Sequence, residues 1–127
     1  MSGIISNQEQ FLALADNPSE APFVMLNLLK FKQQGGREAY LRYIKEAEPY
    51  VAGVGAKVIY FGKANEMLNG TEQWDIVMLV QYPSRKAFLQ MASDPGYLQV
   101  HAYREQALDR AVLYATDPIA LKAVMAE

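Results

Sequence analysis

Apolar residues in this chain are gathered into short runs, which are separated by amphipathic or turn-forming segments. The first strong run, FVMLNLLKF at residues 23–31, is apolar at almost every position rather than at alternate positions. Runs of this length with turn residues on both sides predict β-strands. Four strands are predicted in this way, at residues 23–31, 56–64, 74–82 and 110–116.

Apolar residues at helical spacing predict two helical regions between these strands, at residues 37–54 and 84–108. Pro49 lacks an N–H group, so we expect it to kink or divide the first helix. The second region is expected to restart at Asp94 and Pro95, because aspartate caps a helix and proline fits its first turn.

Short helices are also predicted near the two ends, at residues 8–15 and 119–125. Asn7 and Ser84 each precede a predicted helix and are expected to act as N-caps. After the first helix, the order of elements is β-α-β-β-α-β, which is the split arrangement of the ferredoxin-like fold. We therefore predict one α+β domain over residues 1–127, with two main helices on one face of a four-stranded antiparallel sheet.

The second face of this sheet is expected to be apolar as well. In the third strand, Ile76 and Met78 fall on one face, and Val77 and Leu79 fall on the other. A sheet with one face in water would alternate apolar and polar residues, and large exposed apolar patches are rare on monomers. The pattern predicts a homodimer in which a second copy covers this face about a two-fold axis. The alternative is that the two terminal helices cover it.

Composition narrows the classes of function. The chain has 127 residues, no cysteine, one histidine and a formal net charge of −2. The charge gives no indication of nucleic-acid binding, and the lack of cysteine excludes a disulfide scaffold, a thiolate zinc site and a cysteine nucleophile. We find neither a membrane-span pattern nor a signal-peptide pattern at residues 1–10. We expect a cytoplasmic protein that uses no metal and no other cofactor.

Five segments form a recognisable series: FVMLNLLKF at 23–31, VGAKV at 54–58, YPS followed by AF at 82–88, DPGY at 94–97 and REQAL at 104–108. Together they resemble a bacterial family of uncharacterised domains in the dimeric α+β barrel superfamily. The resemblance covers about residues 23–118. It implies a ferredoxin-like protomer whose sheet meets that of a second copy in a barrel, and it implies no particular activity.

The wider superfamily includes cofactor-free monooxygenases of the antibiotic-biosynthesis type, haem-degrading monooxygenases and muconolactone isomerases. Their pockets commonly lie between sheet and helices, which indicates where to look for a site here. Asn27, Trp74 and His101 match the residue types that haem-degrading enzymes use. His101 lies much further beyond Trp74 than in that family, so haem is not assigned.

Three polar residues are the main candidates for chemistry. His101 and Arg104 share one stripe of their predicted helix with Tyr97, and this stripe should face the sheet. His101 and Asn27 are the catalytic candidates, because histidine transfers protons near neutral pH and a buried amide can orient a carbonyl or a reactive oxygen species. Arg104 is suited to bind an anion. The alternative is that protein groups satisfy all three and that they only stabilise the fold.

Aromatic residues are expected to line a ligand pocket beside these groups, or else to belong to the core or to a dimer interface. The candidates are Tyr43, Tyr60, Trp74 and Tyr97. The first hypothesis is a cofactor-independent oxygenase or isomerase that acts on a hydrophobic or aromatic compound with an anionic or carbonyl group. The second is a ligand-binding dimer without turnover, and the third is a structural or protein-interaction dimer.

Overall fold

The computed structural model describes residues 4–126, which form five helices and four strands. The helices are α1 (Gln8–Asp16), α2 (Gly36–Gly53), α3 (Arg85–Ala92), α4 (Pro95–Ala107) and α5 (Leu121–Met125). The strands are β1 (Phe23–Phe31), β2 (Lys57–Lys63), β3 (Ile76–Tyr82) and β4 (Leu108–Thr116). Each predicted element is present, with its ends shifted by at most two residues.

The strands form one antiparallel sheet in the order β2-β3-β1-β4. β1 is central, and Asn27 in its middle is flanked by Met78 on β3 and Leu113 on β4. This order is that of the ferredoxin-like fold, so the predicted α+β class and topology are confirmed.

Both faces of the sheet carry apolar side chains, but the two faces differ in burial. In β1, the odd-numbered residues from Phe23 to Leu29 are buried, and the even-numbered residues between them are partly buried. β3 alternates in the same way, with Met78, Val80 and Tyr82 buried. α2 and α4 pack side by side over the buried face. The other face, called the outer face below, carries apolar residues as predicted.

The caps of the second helical region follow the predicted chemistry. At the start of α3, the Ser84 hydroxyl oxygen accepts a hydrogen bond from the Ala87 N–H at 3.1 Å. At the start of α4, the Asp94 carboxylate accepts from the Gly96 N–H at 2.8 Å, and Pro95 occupies the first turn. These caps fix where α4 begins and therefore which of its side chains face the sheet.

α2 continues through Pro49, so this residue does not divide the helix. Pro49 lies on the exposed side, where water can satisfy the carbonyl that loses its helical partner. α2 ends where Gly55 adopts a left-handed φ of 79° and the Ala56 N–H donates to the Val51 carbonyl at 3.0 Å. This is the bonding of a Schellman motif, which glycine favours.

Two other predictions differ from the structure. Asn7 precedes α1, but its side chain makes no capping hydrogen bond, and only its carbonyl accepts from the helix. Leu108, which we predicted as the end of a helix, is the extended first residue of β4. Its side chain is fully buried, so packing in the core ends α4 there without an intervening loop.

Within residues 4–126, neither terminal helix covers the outer face. α1 packs against α3 in the helix layer. In α5, Leu121 and Met125 are both more than 70% exposed (72% and 77%). Tyr60 and Tyr114, at opposite edges of the sheet, also remain more than half exposed. The alternative in which the terminal helices cover this face is therefore not what the structure shows.

An ion pair between the buried Arg85 and the exposed Asp117 holds the chain that follows β4. The Arg85 guanidinium donates to both carboxylate oxygens of Asp117, at 2.9 Å and 3.1 Å, and lies over the ring of Phe23. These hydrogen bonds lower the pKa of the Asp117 carboxyl. The bidentate geometry fixes the end of β4 against the start of α3.

A substitution at Gly36 tests how closely the start of α2 packs on its neighbours. A Cβ added there would lie 2.7 Å from the Ala107 carbonyl oxygen and 3.1 Å from the Cβ of Phe31. We expect Gly36→Ala to lower the free energy of unfolding by roughly 1–3 kcal/mol, because backbone must move to admit the methyl group. Urea unfolding measures this loss.

Gly53→Ala, in the last turn of α2, is the matched control. A Cβ at Gly53 would meet nothing within 4 Å, so alanine should be neutral or slightly stabilising there. Equal unfolding free energies for the two variants would contradict the close packing of Gly36.

Candidate functional site

The centre of the candidate site is Arg104, near the C-terminal end of α4. α4 turns Tyr97, Arg104 and Ala107 toward the interior, as its apolar stripe predicts. Arg104 is only 7% exposed, and its Nη2 atom is fully buried without a hydrogen-bond partner. Within residues 4–126 this guanidinium makes no hydrogen bond and no ion pair. Buried charges in proteins are normally paired, so this one needs an explanation.

Four tyrosines from α2, β3 and α4 lie close enough to Arg104 for its charge to act on their hydroxyls. They are Tyr40, Tyr43, Tyr82 and Tyr97. Burial raises the pKa of each hydroxyl, to about 12 for Tyr40, and the Arg104 charge opposes this rise. No carboxylate is among the groups that perturb them. The cluster therefore combines one positive charge with neutral phenols at physiological pH.

The tyrosine hydroxyls in this cluster differ in whether they make a hydrogen bond. The Tyr43 and Tyr97 hydroxyl oxygens are 2.7 Å apart, and their hydrogen bond joins α2 to α4. The Tyr40 hydroxyl is fully buried and has no partner within the described residues. The Tyr40 ring packs against Phe31 and Tyr43, with ring centroids 5.5 Å apart in both pairs. The Tyr40 hydroxyl and Arg104 Nη2 are thus two buried polar groups without acceptors.

His101 lies one turn before Arg104 and nearer the surface. Its Nδ1 is 3.1 Å from Oε1 of Glu105, and its ring packs against Tyr97 with centroids 5.8 Å apart. Burial lowers the pKa of the imidazole, the Arg104 charge lowers it further, and Glu105 partly opposes both. His101 is therefore mainly neutral at pH 7 and able to accept a proton.

Asn27 is buried in the middle of β1, on the face that the helices cover. Its amide donates to the Met25 carbonyl across 3.4 Å, which is a long and weak hydrogen bond. Within the described residues no hydrogen bond links it to His101 or Arg104. Asn27 thus shares a layer with them without being joined to them.

The structure does not bring Trp74 and Tyr60 to this cluster. Trp74 precedes β3, and the Arg110 guanidinium lies 4.8 Å from its ring centroid. Tyr60 is paired with Leu79 across β2 and β3, which places it on the outer face. The predicted site residues in the cluster are His101, Arg104, Tyr43 and Tyr97.

Sequence reasoning missed Glu105 and Tyr82. Glu105 stands four residues after His101 on the same helix, a spacing that signals a side-chain pair. Tyr82 continues the buried alternation of β3 after Val80, so the strand pattern contained the signal for it.

Two shallow grooves on the helix surface are lined neither by Arg104 nor by the four tyrosines. One, of about 330 Å³, is lined by Lys32, Leu98, Ala102, Glu105 and Gln106. The other, of about 440 Å³, is lined by Leu41, Arg42, Lys45 and Glu46. Within residues 4–126, no group of three or more histidine and acidic side chains is placed to hold a metal ion. No helix in this range is long and apolar enough to span a membrane.

Fold and cluster together define a ferredoxin-like α+β protein with a buried cationic and phenolic centre. A family model described as a domain of unknown function, DUF1330, matches residues 28–117. The chain belongs to this family, in agreement with the resemblance to uncharacterised bacterial domains. No curated protein matches the chain significantly.

Several solved structures are similar to this chain. The RPA0582 protein of unknown function from Rhodopseudomonas palustris is 31% identical, with a TM-score of 0.86 over 94% of this chain and 99% of that one. At3g17210 from Arabidopsis thaliana is 17% identical, with a TM-score of 0.64 over 78% and 97%. A dimeric ferredoxin-like protein of unknown function from Jannaschia sp. is 10% identical, with a TM-score of 0.63 over 77% and 100%. At such low identity, the last two show the fold alone.

His101 is the single histidine of the chain, so its ring protons give an unambiguous NMR titration. We expect a pKa below 6.5, because burial and Arg104 disfavour the charged ring. Arg104→Met should raise this pKa and Glu105→Gln should lower it. Because the folded-state pKa is depressed, His101 makes no contribution above the unfolded value, and stability falls as pH drops from about 6.5 toward the folded pKa. A pKa above 6.5, or one that ignores Arg104→Met, would contradict this assignment.

Proposed function

We propose that this chain binds a small molecule with an anionic or carbonyl group in the layer between helices and sheet, and that Arg104 is the anion-binding residue. The main support is its buried guanidinium, which lacks any partner in residues 4–126. We assign the rings of Tyr43 and Tyr97 to the hydrophobic part of the ligand. Because Arg104 lines neither of the two grooves described above, entry requires these rings or the helices that carry them to move.

Arg85 shows what a purely structural buried arginine looks like in this fold. Arg85 is 6% exposed and Arg104 is 7% exposed, so the two are equally desolvated. Arg85 retains one unbonded nitrogen, Nε, but its charge is neutralised by Asp117. Among residues 4–126, no carboxylate pairs with Arg104. A buried ion carries a desolvation penalty of several kcal/mol, which a bound anion would offset.

We further propose His101 as the acid–base group of a cofactor-independent oxygenase or isomerase reaction. The neutral imidazole one turn from Arg104 supports this role, since a base near a bound anion or carbonyl can take a proton from it. Asn27 is the second proposed catalytic residue, because its weakly bonded amide is free to turn toward a carbonyl. Binding without turnover is the alternative. His101→Ala separates the two, since it should abolish turnover and retain binding.

The second proposal concerns assembly. We propose a homodimer in which the outer faces of two sheets meet in an α+β barrel. Leu26 and Leu79 lie side by side at the centre of this apolar face, and no described element covers them. The Jannaschia neighbour is described as dimeric and shares this fold. A closed pair about a two-fold axis removes the patch from water.

Arg104→Met tests the binding site. We expect this variant to unfold at a higher temperature than the wild type, because it removes a buried unpaired charge and keeps the apolar volume; the gain in the free energy of unfolding should be roughly 1 kcal/mol or more. It should also lose the thermal stabilisation that small organic acids and ketones give the wild type. Thermal unfolding with and without each compound measures both effects.

Arg85→Met is the matched control, because Arg85 is equally buried but already makes a bidentate ion pair with the exposed Asp117 carboxylate, which this variant removes. It should lower stability and leave ligand stabilisation unchanged. If Arg104→Met is destabilised like Arg85→Met, or keeps its response to every compound, the proposed site is wrong.

Leu79→Glu tests the dimer. A carboxylate at the centre of the outer face should give a folded monomer, because a buried interface tolerates no unpaired charge. Leu41→Glu, on a side of α2 where leucine is 57% exposed, should remain dimeric. Sedimentation velocity measures the mass and circular dichroism checks the fold. A monomeric wild type at micromolar concentration, or a dimeric Leu79→Glu variant, would contradict the proposal.

A further inference from the structure

On the basis of the proposed function, we infer that the ligand is a monocarboxylate held at two points, with one oxygen on Arg104 Nη2 and the other on the Tyr40 hydroxyl. Both atoms are fully buried, and neither has a partner in residues 4–126. Tyr40 is 1% exposed, so bulk solvent does not reach its hydroxyl to act as a hydrogen-bond partner. Two unsatisfied groups in one cluster indicate one ligand that satisfies both.

The two groups lie near each other. Tyr40 reaches the cluster from α2 and Arg104 reaches it from α4, and these helices pack side by side. The Arg104 charge acts directly on the Tyr40 hydroxyl and lowers its pKa against the larger effect of burial. The two unpartnered groups thus reach the same buried layer from two helices that pack on each other.

Both groups act as donors, so the ligand must supply acceptors. A guanidinium has donors only, and the Tyr40 phenol keeps its proton because its pKa is raised to about 12. A carboxylate matches this pair, because it has two acceptor oxygens and no donor. An amide of the same shape would place an N–H group against one of the two donors.

The charge of the cluster selects a monoanion. Within the described part of the chain, Arg104 is the cation that acts on these tyrosines, and the nearby imidazole of His101 is mainly neutral. A carboxylate balances this single charge. A phosphate dianion would leave one negative charge buried without compensation, which is costly.

The surroundings favour a small, partly aromatic carboxylate. The Tyr40 ring is packed between Phe31 and Tyr43, so aromatic surface lies beside the proposed clamp. Aromatic rings pack well against one another at such distances. Benzoate is therefore a suitable probe, and benzamide is its neutral counterpart of the same shape.

The test is calorimetric titration of the full chain with benzoate, benzamide, acetophenone and inorganic phosphate. We expect benzoate to bind, and benzamide and phosphate to bind at least about tenfold more weakly. Tyr40→Phe should weaken benzoate binding by about tenfold or more, since it removes one hydrogen bond to a charged group. Without ligand it should unfold at the same or a higher temperature, because the lost hydroxyl had no partner.

Tyr103→Phe, on α4, is the control, since the Tyr103 ring lies 4.3 Å from the Arg42 guanidinium and its hydroxyl is not one of the two proposed donors. This variant should keep the benzoate affinity of the wild type. Circular dichroism checks that each variant is folded.

The outcomes distinguish the two-point clamp on a monocarboxylate from the proposed anion site at Arg104. If Tyr40→Phe binds benzoate like the wild type while Arg104→Met does not, the two-point clamp is wrong and the anion site stands. If phosphate or benzamide binds as tightly as benzoate, or only acetophenone binds, the monocarboxylate assignment is wrong. If no probe binds, or Arg104→Met binds every probe like the wild type, both the clamp and the proposed function are wrong.

Discussion

The packing of α2 and α4 on the buried face of β1 is the constraint on which the rest of this structure depends. Phe23, Leu29, Tyr40 and Leu108 are 0–1% exposed in this layer. An interior this closely packed excludes water from any polar group that enters it. The raised tyrosine pKa values and the lowered histidine pKa all have desolvation as their largest cause. The chemistry of the candidate site is thus a consequence of how its helices pack.

The two buried arginines show that burial alone does not define a site. One is neutralised by a carboxylate that the same chain supplies, and it fixes the end of a strand. The other is surrounded by phenols that stay uncharged, so its charge is left for something else to balance. Family membership assigns no reaction here, and the ferredoxin-like fold hosts many unrelated functions. The unbalanced charge is therefore the most informative feature of this protein.

Much of the fold is predictable from the sequence, because it is encoded locally. Helical spacing, the caps at Ser84 and Asp94, and the glycine at Gly55 place the elements within two residues. The stripe on α4 also predicts that Tyr97 and Arg104 face the sheet. What the sequence does not show is that Arg104 lacks a partner among residues 4–126, because this depends on where every carboxylate lies in three dimensions.

Tyr60 illustrates a second limit of prediction from the sequence. With regular pairing after Val58, Tyr60 would lie opposite Met78 and face the helices. A register shift between Val58 and Tyr60 instead pairs Tyr60 with Leu79, on the outer face. One inserted residue reverses the side on which every later side chain of the strand lies. Such a bulge has no reliable sequence signature here, so the face of Tyr60 is set by tertiary structure.

The same bulge has a consequence for solubility. β2 is an edge strand with four consecutive half-exposed apolar residues, from Val58 to Phe61. A flat edge of this kind is a template for amyloid-like stacking. The bulge breaks the regular ladder, and Lys57 and Lys63 place a positive charge at each end of the strand. Irregular backbone and flanking lysines are known to act as gatekeepers against aggregation. This edge is therefore poorly suited to open-ended polymerisation, even though its side chains are apolar and half exposed.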